Sequence, residues 1–338
     1  MNTQPVSDQL QRPIRDLRIS VTDRCNFRCT YCMPKEIFGD DYAFLPREEL
    51  LSNDEITRVA RMFASLGVKK LRITGGEPLL RRDLAPLIRE LIRIEGIEDI
   101  GMTTNGLLLK QYADRLYEAG LRRLNISLDA LNPDLFAKMN GRGVSPEIIL
   151  SNIDLAKNMG FKIRVNTVIQ KGVNEQEILP LAAYFKERGI TLCFIEFMDV
   201  GNDNGWSYKK VVSRREMFDI LNSQYELEPV DPLYFGEVAK RYRYKDNSSE
   251  VGFITSVSES FCSSCTRARI SSDGSIYTCL FATTGHNLRD MLRGDYQDEE
   301  IIAFIRSVWE GRTDRYSDQR AQIAASNRKK INMSFIGG

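Results

Sequence analysis

The chain has 338 residues, of which 42% are apolar and 28% are charged, and this is the composition of an ordinary globular protein. Its 47 basic and 46 acidic residues nearly cancel, which argues against a general nucleic-acid-binding or membrane-binding surface. The first residues contain no apolar signal segment, and no apolar run reaches the roughly 18 residues that a membrane span needs. We therefore expect a cytoplasmic protein that binds neither nucleic acid nor membrane, in which clustered cysteines bind metals or act in catalysis more often than they form disulfides.

Strand-like and helix-like stretches alternate up to about residue 205. Six β-rich runs predict strands at 17–22, 69–75, 98–104, 123–129, 162–169 and 192–199. Five amphipathic stretches, each ending in glycine before the next run, predict helices at 53–67, 84–96, 110–120, 145–160 and 178–189. This alternation is typical of parallel βα repeats, and six strands are too few to close an eight-stranded barrel. We therefore predict an α/β fold built on a partial (β/α)6 TIM-like barrel, with its chemistry at the carboxyl ends of the strands.

The pattern changes beyond residue 205. A loop and a helix are followed by short strand-like runs, in which "SDGS" is a hairpin-turn signal, and by a final helix at 298–312. We predict a barrel domain over residues 1–205. Over residues 206–338 we predict a smaller α+β extension that closes the open side of the barrel and carries the second cysteine group and part of the substrate site.

Three of the seven cysteines stand in "DRCNFRCTYC", residues 23–32, directly after the first predicted strand. A structural zinc site needs four protein ligands, and the only histidine, His286, is distant in the sequence and is expected in a loop. A redox pair of Cys29 and Cys32 would leave Cys25 without a role, and three buried structural thiols are uncommon in a polar loop. An iron–sulfur cluster with three thiolates explains all three cysteines and leaves one iron free for a chelating small molecule.

A second group, Cys262, Cys265 and Cys279, has the spacing C-x2-C-x13-C. Two interpretations stay open for it. A zinc site would take His286 or Cys193 as its fourth ligand, although Cys193 is better explained as a small core residue of the sixth strand. A second three-cysteine iron–sulfur cluster would keep one iron open to the substrate.

The first group, with the aromatic Tyr31 before its last cysteine, resembles the signature of the radical S-adenosylmethionine superfamily. The resemblance implies a [4Fe-4S] cluster on Cys25, Cys29 and Cys32 that binds S-adenosylmethionine and cleaves it to a 5'-deoxyadenosyl radical. The segments "TGGEP", "TTNG" and "SLD" end the second, third and fourth predicted strands, although each alone is more typical of a turn or cap. On the resemblance, the residues that bind S-adenosylmethionine are Tyr31, Gly76, Glu77, Ser127 and Met198.

Longer segments extend the resemblance over essentially the whole chain. Superfamily members that cyclise GTP in molybdenum-cofactor biosynthesis are similar to it in "RPIRDLRISVTDRCNFRCTYCMP", "LRITGGEPLLRRDL", "GMTTNGLLL", "FIEFMDVG", "FCSSCTRARISSDGSIYTCLF" and a terminal Gly-Gly. One departure is Gln11, which stands where that family has glycine. The resemblance implies that the radical removes the ribose 3'-hydrogen and that the sugar carbon attacks guanine C8, giving (8S)-3',8-cyclo-7,8-dihydroguanosine 5'-triphosphate. It also implies a second [4Fe-4S] cluster on Cys262, Cys265 and Cys279, which anchors the guanine.

Five arginines lie on or near the predicted barrel strands: Arg18, Arg72, Arg164, Arg267 and Arg269. Any one of them alone is better explained by a solvated strand face. Five together would be costly to bury without an anionic partner, and the guanidinium fork binds phosphate bidentately. A triphosphate fits, whereas the absence of a P-loop signature argues against an ATPase or GTPase. On the resemblance, the residues that contact GTP are Arg18, Arg72, Thr103, Arg164, Arg267, Ala268 and Arg269.

The last two residues, Gly337 and Gly338, are expected to enter the active site, because two terminal glycines are of little use to a fold but allow backbone to pass close to a ligand. The resemblance further implies a homodimer, an electron donor such as flavodoxin or ferredoxin, and hand-over of the product to the cyclic pyranopterin monophosphate synthase. Two alternatives stay open. A radical S-adenosylmethionine enzyme that modifies peptides would not need five arginines, and a zinc-stabilised regulatory or nucleic-acid-binding module would show zinc without iron and a basic face.

Overall fold

The computed structural model describes residues 6–323 and 330–337. Within them, twelve strands form one sheet: β1 (Asp16–Ser20), β2 (Lys70–Thr74), β3 (Asp99–Thr104), β4 (Arg123–Ser127), β5 (Lys162–Ile169), β6 (Thr191–Glu196), β7 (Leu227–Val230), β8 (Ala239–Tyr244), β9 (Glu250–Ile254), β10 (Arg267–Ile270), β11 (Ser275–Tyr277) and β12 (His286–Asn287). The helices of the same residues are α1 (Asn53–Ser65), α2 (Leu84–Ile92), α3 (Leu109–Glu118), α4 (Pro133–Asn140), α5 (Pro146–Asn158), α6 (Ile178–Glu187), α7 (Arg214–Asn222), α8 (Arg289–Arg293), α9 (Asp298–Glu310), α10 (Tyr316–Ile323) and α11 (Met333–Ile336).

The six predicted barrel strands are confirmed as β1 to β6, which lie side by side in chain order and are all parallel. The five predicted helices are confirmed as α1, α2, α3, α5 and α6. Local capping sets the start of α1, where Ser52 and Glu55 each accept a hydrogen bond from the other's backbone N–H. The sequence interpretation missed α4, a short helix that Asn132 caps and that has Pro133 in its first turn.

Strands of the C-terminal part continue the barrel sheet at both edges. Strand β10 pairs in parallel with β1, and β9 pairs in parallel with β6. The hairpin strands β11 and β12 extend one edge and β8 and β7 the other, all antiparallel. In the part of the chain that the structure describes, β9 and β10 are not paired with each other, so the sheet stays open and the predicted partial barrel is confirmed. The division of the chain at residue 205 stays a prediction.

The barrel strands separate an apolar outer face from a polar interior. Leu17 and Ile19 of β1 are buried in the hydrophobic core, whereas Arg18 between them lines an internal cavity. Strand β2 repeats this alternation around Arg72, as expected for side chains that point to opposite faces of a sheet. The helices therefore cover the outside of the sheet, and the interior is left for polar side chains.

Three local predictions can be compared with the structure. The "SDGS" turn joins β10 to β11, and Gly274 in it has a positive φ of 86°. Cys193 is buried in β6, as expected for a core residue. The loop prediction for His286 is wrong, because it pairs with Ile276 of β11 and forms the exposed strand β12. No helix within residues 6–323 and 330–337 is long and apolar enough to span a membrane.

Candidate active site

One internal cavity brings together side chains from both cysteine groups and from the barrel strands. The predicted residues that line it are Arg18, Cys25, Cys29, Tyr31, Cys32, Arg72, Gly76, Glu77, Thr103, Ser127, Arg164, Met198, Cys262, Cys265, Arg267, Arg269 and Cys279. Ala268 is not brought to the cavity with them, because its side chain is fully buried in the hydrophobic core. Residues separated by more than 200 positions in the chain therefore meet in one space.

The loop that carries the first cysteine group packs on the glycine-rich segment that follows β2. Gly76 donates a backbone hydrogen bond to the carbonyl of Thr22 (2.7 Å), and Glu77 donates one to the carbonyl of Arg24 (2.8 Å). A Cβ atom at Gly76 would overlap the carbonyl oxygen of Arg24. Glycine is thus required at this position by the close approach of the cysteine loop itself.

The three thiols of the first group are buried, and burial disfavours their charged form. Burial raises the pKa of Cys25 and of Cys32 to about 12, and that of Cys29 well above its usual range. Thiolates at such positions need positive charge beside them, which iron supplies. A structural zinc site takes four protein ligands, whereas a cluster that keeps one iron open takes three thiolates, so the set fits a cluster better than zinc.

Glu77 ties the ends of β2 and β3 together. One carboxylate oxygen accepts from the hydroxyl of Thr104 (2.7 Å) and from the backbone of Leu79 (3.0 Å), and the other accepts from the backbone of Asn105 (2.7 Å). Burial raises the pKa of Glu77 to about 7. Asn105 in turn donates to Asn26 within the cysteine loop (2.7 Å). Glu77, predicted as a cofactor contact, therefore has a second role in positioning this loop.

Tyr31 makes the matching connection to β4 and β5. Its hydroxyl donates to Asp129 (2.8 Å), whose other carboxylate oxygen accepts from the backbone of Val168 (2.9 Å). Burial raises the pKa of Asp129 to about 6. Asp129, Thr104 and Asn105 were not predicted as site residues, although they stand in the "SLD" and "TTNG" segments at the strand ends.

The second cysteine group comes from two segments. Cys262 and Cys265 lie between β9 and β10, and Cys279 follows β11. Burial raises the pKa of Cys279 to about 12 and would raise that of Cys265, but the positive charges of Arg267 and Arg312 lower the pKa of Cys265 to about 6. Arg267 donates to the sulfur of Cys265 (3.1 Å).

The fourth zinc ligands considered for this group do not join it. Neither Cys193 nor His286 lines the cavity that the three cysteines share. Cys193 packs in the core against β9, and His286 is exposed, with its ring centroid 6.5 Å from that of Phe304. A four-ligand zinc site completed by either residue is therefore not supported.

The arginines form a row across neighbouring strands. Arg269, Arg18 and Arg72 are in register on β10, β1 and β2, and the next residue in the row is Gly101 of β3. A Cβ atom at Gly101 would lie 2.5 Å from Nη1 of Arg72, so glycine makes room for this guanidinium. With its amide oxygen toward them, Asn125 accepts from Arg72 (3.0 Å) and from Arg164 (3.1 Å).

This row is rich in positive charge. Burial and the neighbouring arginines lower the pKa of Arg72 to about 9 and of Arg269 to about 10, and that of Arg18 well below its usual range. Within residues 6–323 and 330–337, no carboxylate forms an ion pair with any of the five predicted arginines. Uncompensated buried cations favour an anionic ligand of several charges.

The C-terminal tail reaches the same region. The carbonyl of Gly337 accepts a hydrogen bond from Arg269, and Met333 and Ser334 line the cavity. Gly337 has a positive φ of 74°, and a Cβ atom there would overlap the methyl group of Thr74. Both facts favour glycine at this position. Gly338 lies outside the described residues.

Comparison with known proteins identifies the family. Residues 19–185 match the radical SAM superfamily, where SAM is S-adenosylmethionine, and residues 190–318 match the family described as Molybdenum Cofactor Synthesis C. The chain is 59% identical to the GTP 3',8-cyclase of Staphylococcus haemolyticus (strain JCSC1435) and 58% identical to that of Staphylococcus carnosus (strain TM300), in each case over 98% of this chain and 99% of the relative. The chain belongs to the GTP 3',8-cyclases of the radical SAM superfamily. Members of this superfamily use a [4Fe-4S] cluster and S-adenosylmethionine, and the cysteines at 25, 29 and 32 of this cyclase fit such a cluster.

Solved structures agree on the fold of this cyclase. Streptococcus suis SuiB bound to S-adenosylmethionine superimposes with a TM-score of 0.60 at 19% sequence identity, covering 90% of this chain and 68% of that one. SuiB bound to the precursor peptide SuiA gives the same TM-score and identity over 90% of this chain and 67% of that one. At this identity the likeness shows a shared fold and nothing about substrate.

Proposed function

We propose that the protein converts GTP to (8S)-3',8-cyclo-7,8-dihydroguanosine 5'-triphosphate, the first step of molybdenum-cofactor biosynthesis. The observation that carries the proposal is the single cavity lined by two cysteine triads and by a row of arginines without carboxylate partners in the described chain. Cys25, Cys29 and Cys32 would hold a [4Fe-4S] cluster that, with S-adenosylmethionine, would supply the radical chemistry needed to remove the ribose 3'-hydrogen. The tasks of the chain are to bind, orient and shield these molecules.

The wall around the first triad would bind S-adenosylmethionine. Tyr31, Gly76, Glu77, Ser127 and Met198 lie there, on the cysteine loop and at the ends of β2, β4 and β6. Their support for this role is their shared position at the carboxyl ends of parallel strands, where (β/α) barrels place their chemistry. The hydrogen bonds of Glu77 and Tyr31 would fix the position of the cysteine loop, and with it the first cluster, relative to the cofactor.

The arginine row would bind the triphosphate. Arg269, Arg18 and Arg72 contribute forked cations from three adjacent strands, Arg164 contributes one from β5, and Thr103 contributes a hydroxyl to the same cavity. Guanidinium groups bind phosphate oxygens bidentately, and a bound triphosphate would offset the burial and the mutual repulsion that lower their pKa values. Fixing the triphosphate would orient the ribose for hydrogen transfer.

A second [4Fe-4S] cluster on Cys262, Cys265 and Cys279 would anchor the guanine. Three thiolates with an open fourth position support it, together with the failure of the two proposed zinc ligands to join them. Arg267, which donates to Cys265, would be shared between this cluster and the nucleotide. Ala268 would contribute through its backbone, since its side chain is in the core.

Family resemblance alone supports the remaining partners, which are part of the same proposal: a homodimer, a one-electron donor such as flavodoxin or ferredoxin, and hand-over of the product to the cyclic pyranopterin monophosphate synthase. Gly337 and Gly338 would act at the active site, and the hydrogen bond from Arg269 to Gly337 is consistent with this.

Anaerobic reconstitution tests the proposal. The protein should bind about eight irons and eight sulfides per chain, as two [4Fe-4S] clusters require. With S-adenosylmethionine and a strong reductant it should convert GTP to a cyclised isomer and release 5'-deoxyadenosine. Zinc in place of iron, or cleavage of S-adenosylmethionine with no consumption of GTP, would contradict it. Omission of GTP and substitution by GDP serve as controls.

A further inference from the structure

A turn near the N-terminus, residues 8–12, contacts the second cysteine triad through a buried arginine. Nη1 of Arg12 donates to the carbonyl of Cys262 (2.8 Å) and to the carbonyl of Asp314 (2.8 Å). Nη1 of Arg312 donates to the carbonyl of Cys265 (2.7 Å). The backbone of two adjacent cluster ligands is therefore held by two different arginines.

Both arginines share one carboxylate. Oδ2 of Asp8 lies 2.6 Å from Nε of Arg12 and 3.4 Å from Nη1 of Arg312. Asp8, Arg12 and Arg312 are 2%, 0% and 4% exposed, so water cannot take over these contacts. A buried charge needs such a partner, and removal of one member leaves the others unpaired.

The surrounding contacts leave these three side chains little freedom. Oδ1 of Asp8 accepts from the backbone of Leu10 and of Arg12 (2.9 Å each), which forms the turn. Trp309, in the last turn of α9, donates to the carbonyl of Arg12 (3.1 Å) and stacks under Arg312 at 4.6 Å. A group held this firmly can fix the position of what it contacts.

We propose that Asp8, Arg12 and Arg312 are positioning residues of the second cysteine triad: they hold the backbone of Cys262 and Cys265 so that the two thiols are already placed for iron. The purpose of this positioning rests on the proposed second cluster. The placement of Cys262 and Cys265 is a property of the protein without iron and can be measured there. Arg12 and Arg312 act on the backbone of the two cysteines, and Asp8 acts through the two arginines, as outer partners of metal ligands do elsewhere.

Arg12→Lys is the first test variant. Lysine keeps the charge beside Asp8 but lacks the fork that reaches Asp8 and two carbonyls at once. Arg320→Lys is the matched control, because Arg320 is also buried (2% exposed). Its Nε donates to the carboxylate of Asp199 (2.9 Å), and its Nη1 donates to the backbone carbonyl of Ser256, which is not a cysteine. Asp8→Asn, of nearly equal volume, is the second test variant.

The readout is the alkylation rate of each cysteine in the full-length, iron-free protein, measured by mass spectrometry with a small thiol reagent. In Arg12→Lys and Asp8→Asn, Cys262 and Cys265 should react about tenfold faster than in wild type, the factor expected when one hydrogen bond to a charged group no longer opposes local opening. Cys25, Cys29 and Cys32 should keep their wild-type rates, and Arg320→Lys should leave Cys262 and Cys265 unchanged. A uniform rise at all cysteines in both test variants, an equal rise in Arg320→Lys, or no rise in either test variant would overturn the inference.

The reconstituted protein gives the second readout. Both variants should lose the iron of the second cluster to a chelator about 10–100-fold faster than wild type, while the first cluster and cleavage of S-adenosylmethionine persist. Equal loss from both clusters, or wild-type kinetics, would contradict the positioning role. If wild type itself binds only one cluster, the proposed function fails, and the alkylation rates still decide whether these residues place the two cysteines. A test variant that fails to fold should show a uniform rise in alkylation at all its cysteines. Such a result counts against the inference for that variant, and the other test variant then decides it.

Discussion

The two cysteine triads are held by the same kind of contact, but from different distances along the chain. Arg28, inside the first cysteine loop, donates to the carbonyl of Cys25 only three residues away (2.7 Å), whereas Arg12 donates to the carbonyl of Cys262, 250 residues away (2.8 Å). The first triad is thus supported by its own loop and by the adjacent strand ends. The second depends on the N-terminal turn and on the end of α9 being in place. The first triad is therefore positioned by one short segment and the strand ends beside it, whereas the second is positioned by contacts between distant parts of the chain.

The strongest test of this comparison is removal of one cysteine from each triad. Cys25→Ala should abolish cleavage of S-adenosylmethionine and leave about four irons per chain, those of the second cluster. Cys279→Ala should also leave about four irons but keep cleavage, because the first triad is separate, and should lose cyclisation. Iron counts and 5'-deoxyadenosine release measure both. Retained cleavage in Cys25→Ala, or lost cleavage in Cys279→Ala, would show that the triads do not have separate roles.

The tail gives the next largest effect. Deletion of Gly337 and Gly338 removes the carbonyl that Arg269 contacts, and cyclisation should fall by orders of magnitude. Iron content and Tm should stay unchanged, because terminal residues contribute little to a fold. Gly337→Ala should reproduce much of the loss, since its Cβ would overlap Thr74 and its φ is positive. Turnover of GTP by the truncated protein at the wild-type rate would show that the last two residues are dispensable.

Substitutions of two arginines should separate the binding of phosphate from the support of the second cluster. Arg72→Ala should weaken GTP binding by about 2–5 kcal/mol if the contact is desolvated, with little effect on guanosine. Arg267→Ala should weaken GTP and also disturb the second cluster, because Arg267 donates to Cys265. Calorimetric titration with GTP and with guanosine, alongside iron content, measures both effects. Equal loss of GTP and guanosine affinity in Arg72→Ala would mean that this arginine does not contact phosphate.

The smallest expected effect is at Gln11, in the turn that holds Asp8 and Arg12. Gln11 has a positive φ of 59°, which costs a non-glycine residue about 1–2 kcal/mol, whereas glycine loses about 0.5–1 kcal/mol of backbone entropy. Gln11→Gly should therefore raise the free energy of unfolding by up to about 1 kcal/mol. Chemical denaturation of the iron-free protein measures it. A destabilised variant would show that the Gln11 side chain contributes more than its backbone strain costs.

Most of the fold could be predicted from the sequence because its signals are local. Periodic apolar residues and glycine stops defined six strands and five helices, and each was confirmed. Helix α4 was missed because its eight residues are too few for a clear period. The parallel pairing of β9 with β6 and of β10 with β1 could not be predicted, since pairing across such separations leaves no mark in a short window.

The candidate site divides in the same way. The cysteines, the strand-end motifs and the arginines were identified from residue type and spacing, and the structure brings them to one cavity except for Ala268, while Gly337 contacts Arg269 beside them. Gly76 was expected to approach a ligand, whereas its closest neighbour is the cysteine loop. Asp8, Arg12 and Arg312 gave no signal, because an isolated charged residue is normally a surface residue and only the fold shows these three to be buried.

The most direct test of the central claim is hydrogen transfer from the ribose. GTP labelled with deuterium at the 3' carbon, incubated anaerobically with the reconstituted protein, S-adenosylmethionine and reductant, should yield 5'-deoxyadenosine that carries one deuterium per product formed. This result would place the radical source and the ribose of the bound triphosphate in one cavity. Unlabelled 5'-deoxyadenosine formed at the rate of GTP consumption would contradict the proposed arrangement.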